Sequence, residues 1–254
     1  MTAQFDLTGH VAIVTGGNAG LGLGIARGLA GAGASIAIWG RNTARNEAAL
    51  AELRTMGVDA DAFICDVMDM AAVDAAMSAT IARFGRIDSC FANAGGSGAR
   101  KPFLQQDHED WAYVQRLNVE SVVATFRAAG RQMAAQRTGG KLIVTSSIAA
   151  LLGVPGGGYA ATKAAVSGLV RSLAVELAPL GIQVNAILPG FIQTEMSMQT
   201  PQAFQDACLR RTPSGKLGTI DDMAGIAVFL ASKASNLVTG QSIVIDGGQS
   251  IFPM

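Results

Sequence analysis

Short β-branched apolar runs alternate along this chain with longer segments of helical character. The first run, residues 10–15 (His-Val-Ala-Ile-Val-Thr), has apolar side chains at consecutive positions. Consecutive rather than alternating apolar residues mark a parallel strand buried on both faces. Further strands are predicted at 34–39, 60–66, 87–92, 140–145, 182–188 and 241–246. Helices lie between them, including a long one from about Asp107 to Gln136. This alternation predicts an α/β fold, a doubly wound parallel sheet of about seven strands with helices on both faces. Ligands then bind beyond the carboxyl ends of the strands. No repeat, low-complexity tract or linker interrupts the 254 residues, so one domain spanning 1–254 is expected.

Composition narrows the class. The 19 basic and 19 acidic residues cancel, which leaves no electrostatic footprint for nucleic acid. Charged residues make up 15% of the chain, against about 25% in typical soluble domains. So sparse a charge implies that surface is buried between subunits. No apolar run reaches the roughly 18 residues of a membrane span. The opening Met-Thr-Ala-Gln-Phe-Asp lacks the basic and apolar regions of a signal peptide. Cys65, Cys90 and Cys208 are odd in number and lack metal-ligand spacing. His10 and His108 have no neighbours that suggest metal or proton chemistry. A cytoplasmic protein without a metal is expected.

Candidate chemistry gathers at two stretches. After the first strand comes Gly16-Gly17-Asn18-Ala19-Gly20-Leu21-Gly22, then a helix through about Gly31. Glycines there permit a tight turn and let backbone amides approach a pyrophosphate at the helix N-terminus. The second stretch is 145–163, in which a strand runs into Ser146, a Gly/Pro loop and an Ala-rich helix carrying Tyr159 and Lys163. Residues at i and i+4 share a helix face, so the phenol and the ammonium point the same way. A phenol with a pKa near 10 is a poor acid or base at neutral pH, and a cation one turn away favours the phenolate. Read alone, the two are equally an amphipathic pair on a helix flank.

The spacing Thr-Gly-x-x-x-Gly-x-Gly, joined to Ser146, Tyr159 and Lys163, closely resembles the short-chain dehydrogenase/reductase family along essentially the whole chain. The resemblance implies a Rossmann-like domain that transfers a hydride between a nicotinamide cofactor and a carbonyl or secondary alcohol. It implies Tyr159 as general acid/base, with Ser146 orienting the substrate oxygen. Lys163 would lower the phenol pKa and hold the nicotinamide ribose. It also implies Asn118, an amide in the middle of the long helix, as the anchor of a proton-relay water. The family's spacing of thirteen from serine to tyrosine selects Ser146 over Ser147.

For the cofactor, the resemblance implies contacts from Gly16, Asn18, Gly20, Leu21 and Gly22. Asp66 is assigned to the adenine, with Val67 beside it. Asn93, Ala94 and Gly95 follow the fourth strand, where Ala92 replaces the first Asn of the family's usual Asn-Asn-Ala-Gly. Pro189 and Gly190 would wall the nicotinamide, with the Ile192 backbone and the Thr194 hydroxyl on the carboxamide and phosphates. Thr194 could instead only cap the following helix, and Asp66 be a helix N-cap or loop acid, with Asp69 the alternative cap.

A fold that prefers NAD usually carries an acid after its second strand. Between Asp6 and Glu47 this chain has none, and Arg41 stands there instead. An arginine fork suits a 2′-phosphate, so NADP(H) is favoured over NAD(H). Trp39 either walls the adenine pocket or packs on a neighbouring helix. A substrate lid is expected at about 195–214, where Met196, Met198 and Phe204 suit an apolar substrate and an ordinary packed helix alike. The tail lies where the family forms its subunit interface, commonly in a homotetramer. The runner-up is an NAD-dependent sugar-acid or polyol dehydrogenase. A non-catalytic NADP(H)-binding sensor or scaffold is the reading from another class.

Overall fold

Burial on both faces accounts for the consecutive apolar runs. In the computed structural model, β1 (Val11–Thr15) is buried at all five positions and β4 (Ser89–Ala92) at all four. Residues 3–99, 101–155 and 157–251 are described. The remaining strands are β2 (Ser35–Trp39), β3 (Ala60–Phe63), β5 (Gly140–Thr145), β6 (Ile182–Pro189) and β7 (Ser242–Ile245). They form one seven-stranded sheet in the order β3-β2-β1-β4-β5-β6-β7. All six pairings are parallel.

Helices cover both faces. On one side α1 (Gly20–Gly31), α2 (Thr43–Thr55) and α8 (Asp222–Ala231) bury Ile25, Leu29, Leu53 and Leu230 against the sheet. On the other, α3 (Met70–Phe84), α5 (Ser121–Gln136) and α6 (Gly158–Leu177) bury Val73, Phe126, Met133 and Val170. α4 (His108–Gln115) opens on a capping box, with Asp107 accepting from the Asp110 amide at 2.8 Å and Asp110 answering the Asp107 amide. α7 (Gln202–Arg210) lies beyond β6. No helix among the described residues is long and apolar enough to cross a membrane.

Two elements differ from the predicted pattern. β3 stops at Phe63 rather than residue 66, and Ile64 is 61% exposed. It is the edge strand, so only one neighbour holds its backbone. The long helix is continuous in direction but widens to a π-turn over Arg116–Glu120, centred on buried Asn118. There the Ser121 hydroxyl takes the Leu117 carbonyl at 2.6 Å, which compensates for the altered backbone ladder.

Candidate active site

Chain order reverses between β1 and β4, and a crevice opens at the carboxyl ends of the strands there. Its volume is about 670 Å³. One wall is the turn after β1. Gly16 (φ 65°) and Gly20 (φ 52°) hold left-handed backbone, which glycine adopts without penalty. A Cβ on Gly22 would lie 2.2 Å from the Gly16 carbonyl, so the third glycine closes the turn against the helix. The first turn of α1 has no side-chain cap, leaving amides directed outward. Asn93 ties the floor together. Its amide donates to the Thr15 carbonyl at 3.1 Å and its oxygen accepts from the Thr145 hydroxyl at 3.0 Å, spanning β1 and β5 across β4.

Arg41 and Arg45 stand at the β2 end of the crevice. Arg41 reaches Asp66 at 3.3 Å, and Arg45 makes a two-pronged contact with Glu195 at 2.9 and 3.1 Å. Asn18 donates to Asn46, which in turn donates to the Gly40 carbonyl, fastening the glycine turn to the start of α2. Trp39 is fully buried and donates to Thr80 of α3 at 3.0 Å, so its indole serves packing between sheet and helix. Asp69, not Asp66, caps α3. The left-handed turn, the outward amides and the paired arginines fit a phosphorylated dinucleotide.

At the other end lie Tyr159 and Lys163, on one face of α6 as their spacing predicts. The Lys163 amine sits 5.6 Å from the Tyr159 ring centroid and donates to the Thr145 carbonyl at 2.8 Å. Burial brings Lys163 down to about 8, so it remains mostly charged at neutral pH. The net shift of the phenol runs opposite to the expected acidification. Burial pushes Tyr159 above its ordinary value, and the force opposing it is a hydrogen bond from Ser147.

The serine assignment changes as well. Ser146 is buried, and its hydroxyl donates to the Lys163 carbonyl at 2.9 Å with Ser167 alongside at 3.1 Å. It borders the crevice with its hydroxyl committed to α6. Successive residues of extended chain point to opposite sides, and Ser147 is extended (φ −168°, ψ 156°). Ser147 therefore faces the tyrosine, one residue nearer in sequence than the family spacing anticipates. Asn118 is 1% exposed and grips Gly96, accepting from its amide at 3.0 Å and donating to its carbonyl at 2.8 Å. It also donates to Thr162 at 3.1 Å. Its side chain is fully engaged in pinning the loop after β4, and a Cβ on Gly95 would lie 2.8 Å from its oxygen.

The crevice thus brings together Gly16, Asn18, Gly20, Leu21, Arg41, Asp66, Val67, Asn93, Ala94, Gly95, Tyr159, Lys163 and Thr194. Gly22, Pro189, Gly190 and Ile192 are not among its lining residues. Pro189 ends β6, and the Ile192 side chain packs on Gly218 and is 5% exposed. Thr194 both lines the crevice and caps the next turn, accepting from the Ser197 amide at 3.1 Å. Sequence reasoning missed Arg45, Ser97, Tyr113, Leu117 and Gln199, which also line it. Arg45, four residues after Arg41, carried a legible signal; the others depend on how loops return over the strands.

A family model described as enoyl-(acyl carrier protein) reductase matches residues 16–250. The gluconate 5-dehydrogenase of Gluconobacter oxydans is 35% identical over 250 residues, covering 97% of each chain. A gluconate 5-dehydrogenase from Burkholderia cenocepacia, solved with NADP and tartrate, is 38% identical, covers 97% of both chains and superposes with a TM-score of 0.91. A 7α-hydroxysteroid dehydrogenase, solved with NADH and 7-oxo glycochenodeoxycholic acid, is 33% identical over 96% of both chains, with a TM-score of 0.93. Sugar acids and a steroid ketone, NADP and NADH, all occur on this scaffold at similar identity. This chain belongs to the short-chain dehydrogenase/reductase family, and it is an oxidoreductase of that scaffold.

Proposed function

We propose that the protein is an NADP(H)-dependent oxidoreductase that interconverts a carbonyl compound and its secondary alcohol, with Tyr159 as general acid/base. One observation carries this reading. The glycine turn after β1 and the Tyr159 and Lys163 side chains line the same crevice at the switch point, with Ser147 acting on the Tyr159 hydroxyl. When bound, the dinucleotide gives or takes the hydride. In reduction, the Tyr159 hydroxyl delivers its proton to the substrate oxygen as the carbonyl carbon gains that hydride. Ser147, which acts on the Tyr159 hydroxyl, orients the same oxygen. Lys163, held by the Thr145 carbonyl, would offset the negative charge left on the phenolate and would hold the ribose of the nicotinamide. Asn118 acts by holding the Gly95–Gly96 segment against the crevice.

Arg41 and Arg45, with no acid at the end of β2, support NADP(H) over NAD(H). Segment 195–214, which includes α7, serves as the substrate lid and brings Met196 and Gln199 to the crevice. The low charge content and exposed apolar residues such as Leu237 (98%) and Val175 (80%) support association into a homotetramer. A panel of ketones and alcohols followed by nicotinamide absorbance, with both cofactors, tests the reading. Turnover with NADPH exceeding that with NADH is expected; nucleotide binding without turnover of any member would favour a sensor or scaffold. The gluconate 5-dehydrogenases among its relatives favour a second reading, a sugar-acid dehydrogenase.

A further inference from the structure

We propose that the substrate is a neutral ketone or secondary alcohol with an apolar body rather than a sugar acid. This rests on the oxidoreductase reading of the same crevice. A sugar carboxylate removed from water requires a cation or several converging donors at its end of the site. The cations lining the crevice among the described residues are Arg41, Arg45 and Lys163. Arg41 and Arg45 lie at the β2 end, facing Asp66 and Glu195. Lys163 is buried against the Thr145 carbonyl beside the reacting group. The other side chains lining the crevice include Ser97, Tyr113, Leu117, Met196 and Gln199, none of them cationic.

The apolar character continues outward. Phe103 lies against Gly157, where an added Cβ would stand 3.6 Å from its ring, and the Trp111 ring is equally close to such a carbon on Gly158. Both rings are exposed, Phe103 at 61%. Met196, which lines the crevice, is 52% exposed, and Phe204 meets Phe191 at a tilt with ring centroids 6.0 Å apart. Among the described residues, Lys101, two residues before Phe103, is held by Asp110 at 2.7 Å. An apolar body lodged among Tyr113, Leu117 and Met196 removes surface from water on both partners. A sugar acid there would leave its carboxylate without a matched cation.

The test compares NADPH-dependent reduction of an alicyclic or aromatic ketone such as α-tetralone with that of 5-keto-D-gluconate and of the neutral ketose L-sorbose. The apolar ketone is expected to have a kcat/KM at least about 100-fold above that of the keto acid, with sorbose no better than the acid. Met196→Arg, at an exposed position, should narrow that ratio by raising activity on the keto acid. A keto acid turned over as well as, or better than, the ketone by the unmodified protein overturns the proposal and leaves the oxidoreductase reading intact. Turnover of none of the three, with NADPH bound as seen by fluorescence, overturns both.

Discussion

Replacing Ser147 with Ala separates the two adjacent serines. The Ser147 side chain acts on the Tyr159 hydroxyl, countering the effect of burial, and accepts from the Ala149 amide at 3.1 Å. Removing it takes away a donor aimed at the oxygen on which charge develops. Loss of one such donor costs roughly 2.7–4 kcal/mol, or about 10²- to 10³-fold in kcat. The lost contact with Ala149 adds a stability cost of about 1 kcal/mol. Ser146→Ala should behave differently. The Lys163 carbonyl retains the Ser167 hydroxyl at 3.0 Å, so no buried acceptor is orphaned, and the change should cost about 1 kcal/mol of stability. Steady-state kcat and KM, with urea midpoints for each variant, read both effects. Loss of two orders of magnitude in Ser146→Ala, with Ser147→Ala close to the parent rate, would refute the assignment.

Arg41→Ala should weaken NADPH binding by about 10- to 100-fold, the size of one charge-assisted contact, and leave NADH nearly unchanged. Fluorescence titration decides it, and an equal loss for both nucleotides would contradict the role given to Arg41. Lys141 is buried with only Ser235 and Asn236 on its amine, and burial lowers it to about 8 from an ordinary 10.5. The unfolded chain therefore binds more protons between those values, and stability should rise with pH from about 8 toward 10.5. That difference is worth up to about 3 kcal/mol at ~1.4 kcal/mol per pH unit, so Lys141→Met should show a shallower alkaline rise in denaturant midpoint. A slope identical to the parent's would place the effect elsewhere.

The strands were legible because parallel burial writes itself as consecutive apolar residues, as in Val11–Thr15. β3 was less so, since an edge strand ends where pairing ends rather than where apolar residues do. That Tyr159 and Lys163 share a face could be read from helical spacing, whereas their candidate role needed the glycine-rich stretch upstream. The choice between Ser146 and Ser147 could not, because it depends on which side of an extended chain meets α6. The direction of the Tyr159 shift also escaped, for burial is a property of everything packed around the phenol. Arg45 meets Glu195 across 150 residues, a proximity fixed by the return of the chain after β6.

The role of Tyr159 is tested most directly by Tyr159→Phe, measured in single turnovers of bound NADPH with a ketone the parent protein reduces. General acid catalysis contributes about 10²- to 10⁴-fold. A fall in rate within that range or beyond it is expected, with NADPH affinity within about three-fold of the parent. A variant that binds NADPH normally and reduces the ketone within a factor of ten of the parent rate would show that the proton comes from elsewhere.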